Sequence, residues 1–209
     1  MTNYLETERE MNAVARRSFE AADAAVGSGR HVAQWRAFFV RRRTFLGLVA
    51  AFVLVFFAEP VPALLYAGAG LMAAAHLLRL ICAGYLNKDA SLATAGPFAY
   101  CRNPLYVGNF MVVVAFALMS GQLIALPIML LFWVLTHAPT VACEEELLCE
   151  KFGEEFEEYR RRVPRWFGCR KCINGEGRFE WSRVLENGEH LNILSAWMVG
   201  AMFYIEMVK

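Results

Sequence analysis

Residues 96–109, "GPFAYCRNPLYVGN", place polar and conformationally restricted residues between two apolar segments. Gly96-Pro97 predicts a turn, and Asn103-Pro104 predicts a helix start, because the first turn of a helix tolerates proline. Arg102 offers a planar fork of donors suited to a carboxylate or a phosphate. The pattern therefore indicates an anion-binding turn, although a helix cap with interfacial anchors would use the same residue types.

A second polar segment, "CEEELLCEKFGEEFEEYRRRVPRWF", begins at Cys143. Three consecutive carboxylates, Glu144 to Glu146, repel one another and lose hydration at a bilayer boundary, so we expect a cationic or hydrogen-bonding partner for them. Further along, apolar residues recur at helical spacing and predict an amphipathic surface helix with a solvated acidic face. These apolar residues are Leu148, Phe152, Phe156 and Tyr159.

The elements that must position these segments are apolar and long. Hydrophobic residues make up 57% of the 209-residue chain, and the net charge of +1 does not suggest a nucleic-acid partner. We predict an all-α fold, a polytopic membrane helical bundle of about five transmembrane helices, with the amphipathic cytosolic helix after the fourth. The predicted spans are residues 44–58, 63–82, 105–120, 123–142 and 191–208, the last of which could instead lie on the surface.

The distribution of basic residues predicts the orientation. The turns at 59–62 and 121–122 contain no Lys or Arg, whereas residues 1–43, 79–102 and 143–189 contain all of them except Lys209. The positive-inside rule then places the N-terminus and both polar segments in the cytosol. We expect a cytosolic arm at 1–43, a membrane core at 44–189 and a C-terminal transmembrane helix at 190–209.

The connection between the third and fourth spans is only Gly121-Gln122. The two helices must therefore be antiparallel neighbours. Such a hairpin brings the Arg102 turn and the Glu144–Glu146 cluster together on one face.

With these motifs in order, residues 86–167 resemble the isoprenylcysteine carboxyl methyltransferase and phospholipid methyltransferase family. The resemblance rests on "GPFAYCRNPLYVGN", "EEELL", "FGEEFEEY" and "RVPRW". It implies an S-adenosylmethionine-dependent methyltransferase without a soluble Rossmann domain. It also implies a cofactor held between the last core helices and the following polar segment, and a lipid-like substrate that arrives from the bilayer.

Site residues follow from this resemblance. The implied cofactor-binding residues are Gly96, Tyr100, Arg102, Asn103, Tyr106, Glu144 and Glu145. The implied catalytic residues are Arg102, Asn103 and Arg162. The family motifs also match Pro97, Pro104, Gly108, Tyr159 and Pro164. Many relatives have histidine in place of Asn103, which weakens the case for a prenylated cysteine substrate. Gly68-Ala69-Gly70 is either a counterpart of a cofactor-binding Gly-x-Gly or a helix-packing motif.

The sequence does not identify the methyl acceptor, because a lipid amine, an isoprenoid carboxylate and a thiol would each fit. An amine or thiol would need a base, for which His137 is a candidate, although a bundle contact is the commoner role of such a histidine. The expected partners are a membrane-soluble small substrate and the bilayer, with the oligomeric state undetermined. The expected location is a bacterial inner membrane.

Two other functions remain as alternatives. One is a nicotinamide-dependent membrane reductase of the related sterol reductase fold, and the other is a non-enzymatic assembly or transport protein. Cys169 and Cys172 have the spacing of half a zinc site, but no second pair follows, so no metal site is predicted.

Overall fold

The computed structural model describes residues 13, 45–47, 49–87, 91–168 and 171–209. The predicted N-terminal arm lies outside the described residues apart from Ala13, and so does Cys169.

The described chain is helical, and no strand occurs within those ranges. The helices in chain order are α1 (Phe45–Phe56), α2 (Pro62–Tyr85), a 3₁₀ turn (Gly96–Ala99), α3 (Pro104–Met119), α4 (Ala125–Phe152), α5 (Glu154–Arg162), α6 (Trp181–Glu186) and α7 (Glu189–Val208). By length and composition α2, α4 and α7 are long and apolar enough to cross a membrane, while α1 and α3 are shorter apolar helices. The predicted all-α membrane bundle is confirmed.

Helices α2 and α3 pack against each other at a glycine. A Cβ on Gly68 would lie 2.5 Å from Met119 Cγ and 2.7 Å from the Ala115 carbonyl oxygen, whereas a Cβ on Gly70 would meet nothing within 4 Å. Gly68 therefore has the close-approach role that small residues have between membrane helices.

The two short turns predicted to share one side of the membrane touch in the fold. The Glu59 amide donates to the Ser120 carbonyl at 2.8 Å. Gly121 has φ +73°, and a Cβ there would overlap the Glu59 carbonyl oxygen. Helix α2 begins at this end of the bundle and α3 ends there. The Arg102 turn, which lies between the two helices in the chain, is therefore at the opposite end, called here the polar end.

The amphipathic helix begins later than expected. Helix α4 continues through the glutamates to Phe152, and Gly153, with φ +51° and ψ −120°, separates it from α5. The apolar residues assigned to one surface helix are thus divided between two. They still share one cluster, in which Leu148 and Phe152 of α4 pack against Phe156 and Tyr159 of α5.

Candidate functional site

The centre of the polar end is the carboxylate of Glu145, on α4. At about 1.5 Å per residue Glu145 lies about 30 Å from the start of α4, close to the thickness of a hydrocarbon core. Its side chain is only 6% exposed. A carboxylate so deeply buried needs cationic and hydrogen-bonding partners to remain charged.

The turn before α3 supplies two of these partners. Arg102 Nε and Asn103 Nδ2 both donate to Glu145 Oε1, at 3.1 and 3.0 Å. The Arg102 side chain is 9% exposed and Asn103 is buried. The structure therefore brings the two polar segments into direct contact, as the short connection between α3 and α4 requires.

A third partner comes from the segment after α5. Arg165 Nε donates to Glu145 Oε2 at 3.0 Å, and Asn103 Nδ2 also donates to the Arg165 carbonyl at 3.2 Å. Sequence reasoning did not select Arg165, although it belongs to the quoted "RVPRW" motif. The sequence signal that could have identified Arg165 is a basic residue directly after Pro164 in this motif.

Arg102 also holds the end of α5. Its Nη1 donates to the carbonyls of Arg160 and Val163, both at 2.8 Å, and its backbone amide donates to the Pro164 carbonyl at 2.9 Å. Last-turn carbonyls have no partner within a helix, and a guanidinium is well suited to satisfy them. One side chain thus links the turn, α4 and the residues after α5, 163–168 and 171–176, called here the closing segment.

The closing segment lies tightly on the Arg102 turn. The Cys172 amide donates to the Ala99 carbonyl at 2.9 Å. A Cβ on Gly168 would overlap the Tyr100 carbonyl oxygen, and one on Gly175 would lie 2.2 Å from the Thr94 carbonyl oxygen. Only glycine permits so close an approach of two backbones.

Two buried protic groups under this segment stay neutral. The hydroxyl of Tyr159 donates to the Phe98 carbonyl at 2.8 Å. Burial raises the pKa of Tyr159 and also that of the Cys101 thiol. Both groups therefore serve packing and hydrogen bonding at neutral pH.

The other predicted cofactor-binding residues differ in burial and in contacts. Gly96 has φ +59°, and a Cβ there would strike the Tyr85 ring. Tyr100 is 43% exposed, and Tyr106 packs edge-on against His137 with ring centroids 5.9 Å apart. Glu144 is half-buried beside Glu145.

Arg162 has a different environment. Its side chain is 61% exposed and forms an ion pair with Glu158 on the same helix. It lines an open cleft of about 910 Å³ between α5 and the segments at 91–94 and 171–176. The structure thus places Arg162 on the outer face of α5, while Arg102 and Asn103 lie on the inner side.

A second buried ion pair lies at the same end and was not predicted. Arg79 of α2 donates from Nε and Nη2 to the two carboxylate oxygens of Glu189, at 2.9 and 2.8 Å. Its Nη1 reaches Asn109 and the Leu105 carbonyl on α3. This pair fixes the start of α7 against α2 and α3.

Aromatic rings form a cluster between α3, α4 and the closing segment. Trp133 stacks on His137 at 5.4 Å and 9°, and meets Phe110 at 5.3 Å and Trp166 at 5.2 Å edge-on. His137, the candidate base, also has Nδ1 2.8 Å from Thr136 Oγ1. Periodicity could not reveal this cluster, because two of its rings come from segments joined only by the tertiary fold.

No group of three or more metal-ligating side chains that could hold an ion occurs within the described ranges. Cys172 is exposed.

The fold and the polar end define an integral membrane helical bundle with a buried charged site at one end. Residues 81–155 match the family model of phospholipid methyltransferases, a stretch that includes both Arg102 and Glu145. The resemblance to this family read from the sequence is thus confirmed for this stretch of the chain.

Three curated relatives extend the comparison. The chain is 36% identical over 135 residues to a nickel-cobalt-cadmium resistance protein of Alcaligenes xylosoxydans xylosoxydans, and this covers 63% of the chain and 61% of the relative. It is 30% identical over 130 residues to a cobalt-zinc-cadmium resistance protein of Cupriavidus metallidurans, covering 61% and 59%. It is 35% identical over 85 residues to a protein-S-isoprenylcysteine O-methyltransferase of Schizosaccharomyces pombe, covering 40% and 36%.

The chain thus spans about three-fifths of the length of the two metal-resistance relatives and about one-third of the yeast enzyme. No solved structure matches it.

Proposed function

We propose that the protein is an S-adenosylmethionine-dependent methyltransferase that transfers a methyl group to a lipid or lipid-like acceptor at the cytosolic membrane face. The observation that carries this proposal is the buried Glu145 network, which lies inside the stretch matched to the phospholipid methyltransferases. The methyltransferase named among the relatives supports the same chemistry.

The donor set fits the cofactor's amino-acid end. That end is a zwitterion, and the network pairs one carboxylate with two guanidinium groups and an amide. Glu145 would receive the ammonium group, while Arg102 and Arg165 would receive the carboxylate. The 46% exposure of the Arg165 side chain allows it to exchange partners at low cost, unlike the buried Arg102.

The remaining predicted residues would complete the site. Asn103 would hold the cofactor through its amide, and Gly96, Tyr100, Tyr106 and Glu144 line its surroundings. Arg162, on the rim of the outer cleft, is proposed to meet a substrate head group or to close the site.

When bound, the cofactor supplies a methyl group that its sulfonium already activates. The protein then has to position the acceptor in line and exclude water. The closely packed closing segment serves the second task. A carboxylate acceptor needs no base; for an amine or thiol, His137 is the proposed base because it lies in the aromatic cluster beside Tyr106.

The distribution of basic residues supports the cytosolic placement. The two turns that meet at the far end, 59–62 and 121–122, carry no Lys or Arg. The polar end carries Arg79, Arg102 and Arg165. This asymmetry is typical of a bundle whose polar end faces the cytosol of a bacterial inner membrane.

The test is to incubate purified protein with methyl-labelled S-adenosylmethionine and a total lipid extract, and then identify the labelled species. We expect label in a lipid fraction with the wild type, and little with Glu145→Gln. Glu206→Gln is the matched control, because Glu206 pairs with Lys209 at the end of α7, outside the site.

A binding measurement separates the proposed function from a reductase. S-adenosylhomocysteine should raise the melting temperature of the wild type, whereas NADPH should leave it unchanged. Stabilisation by NADPH alone would overturn the proposal.

A further inference from the structure

The two carboxylate oxygens of Glu145 have different partners. Oε1 accepts from Arg102 Nε and Asn103 Nδ2, which both belong to the turn before α3. On Oε2 the side-chain donors within the described ranges come from Arg165, whose Nε lies 3.0 Å away and whose Nη2 also donates. One oxygen is therefore held by the buried turn, and the other by a single cation from the closing segment.

The two cations that bind Glu145 differ in how firmly they are held. The Arg102 side chain is 9% exposed and also donates to two carbonyls at the end of α5, whereas the Arg165 side chain is 46% exposed. Separating a buried guanidinium from its partner is costly, but a half-exposed one regains water when it leaves. Arg165 can therefore leave Oε2 at low cost, while Arg102 stays on Oε1.

The backbone on either side of Arg165 is held in place. The Pro164 carbonyl accepts from the Arg102 amide at 2.9 Å, and the Arg165 carbonyl accepts from Asn103 Nδ2 at 3.2 Å. Three residues later Gly168 packs so closely that a Cβ there would overlap a carbonyl oxygen of the turn. Departure of the Arg165 guanidinium is therefore a rotation of the side chain, and the closing segment keeps its position.

We propose that Arg165 is an internal substitute for the cofactor's ammonium group, which binds Glu145 Oε2 until that ammonium arrives and then yields this oxygen to it. The inference rests on the proposed function and assigns a regulation to the same site. Two N–H groups of Arg165 use both lone pairs of Oε2, so an arriving ammonium has to displace at least one of them. Arg165 thus keeps the buried carboxylate paired at other times, and it lowers the affinity for every ligand whose ammonium group binds there.

The test separates the ammonium group from the rest of the ligand. Decarboxylated S-adenosylhomocysteine carries the ammonium without the carboxylate, and methylthioadenosine carries neither. Arg165→Gln should bind the decarboxylated amine about two- to fivefold more tightly than the wild type does, the range that corresponds to an exposed ion pair. Affinity for methylthioadenosine should be unchanged. S-adenosylhomocysteine should gain less than the amine, because Arg165 would also receive its carboxylate. Arg160→Gln is the matched control: Arg160 is 49% exposed but pairs with Glu157, and all three affinities should stay at the wild-type values.

A second measurement observes the exchange of partners directly. Arginine Nε–H signals are recorded by nuclear magnetic resonance on ¹⁵N-arginine-labelled protein in detergent. Arg165→Lys keeps the charge, removes the Nε–H and so identifies the Arg165 signal by its loss; Arg102→Lys identifies the Arg102 signal in the same way. We expect the decarboxylated amine to move the Arg165 signal in a saturable way towards the position of a solvated guanidinium. The Arg102 signal should move less, because Arg102 donates to Oε1.

The sign of the change in affinity is decisive. Equal or weaker binding of the amine by Arg165→Gln would overturn the proposal, and weaker binding is what a purely structural role for Arg165 predicts. If Arg165→Gln does not fold, the wild-type signals decide: an Arg165 signal that the bound amine leaves unmoved would also overturn the proposal. If none of the three ligands binds the wild type, the proposed function and this inference fail together. If they bind without these effects of Arg165, this inference alone fails.

Discussion

Replacing Glu145 by glutamine tests the charge on which three segments of the chain converge. The change preserves size and one oxygen acceptor but removes the negative charge beside Arg102, whose side chain is 9% exposed. Breaking a buried pair by removing one partner costs about 3–5 kcal/mol. The half-exposed Arg165 adds at most about 1 kcal/mol, and the retained oxygen recovers part of the loss. We expect a decrease of about 2–4 kcal/mol in the free energy of unfolding.

The assay is titration of protein in mild detergent with sodium dodecyl sulfate, following helicity by circular dichroism. Glu206→Gln should change the unfolding free energy by less than about 0.5 kcal/mol, because its ion pair is exposed. Combining Glu145→Gln with Arg102→Met should cost about 2 kcal/mol less than the sum of the single changes. A Glu145→Gln protein as stable as the control would refute the assigned role of this network.

Three further predictions concern other parts of the bundle. Glu189→Gln leaves a buried arginine without its charge partner, so we expect a loss of about 3–5 kcal/mol, measured by the same titration. Gly68→Ala should cost about 1–3 kcal/mol by overpacking, whereas Gly70→Ala, with open space around it, should be neutral or slightly stabilising; equal effects would contradict the α2–α3 packing. Maleimide at pH 7.5 should label exposed Cys172 rapidly and Cys101 only after unfolding, because burial shields Cys101 and raises the pKa of its thiol; peptide mass spectrometry would show the order.

The sequence predicted the contact between the Arg102 turn and Glu145 because a short connection constrains how two helices can be placed. The short connection between α3 and α4, residues 120–124 in the structure, forces the two helices to be antiparallel neighbours, so the residues before one helix must meet those late in the other. The predicted end of the fourth helix, near residue 142, was wrong. That prediction followed the fall in hydropathy at Glu144, whereas the backbone hydrogen bonds of a helix continue regardless of side-chain polarity. The helix stops at Gly153, where the backbone takes a positive φ.

Contacts with no local signal were missed. Arg79 and Glu189 are 110 residues apart, and no periodicity links the end of one helix to the start of another. Arg165 follows a proline in irregular chain, so its direction depends on how the closing segment packs on the turn. Hydrophobic patterning specifies which faces are apolar, but it does not specify which charged side chains meet.

The two buried ion pairs explain how the bundle adopts one arrangement although its apolar contacts discriminate little between helix registers. Within a membrane, apolar contact between helices competes with equally apolar lipid, so it discriminates weakly between registers. Arg79 and Arg102 come from consecutive segments, and each meets a carboxylate from later in the chain, Glu189 and Glu145. Such pairs contribute little net stability, but a register that leaves either arginine unpaired in the bundle costs several kcal/mol. The polar end is thereby fixed by charge, and a site that needs fixed donors can be built there.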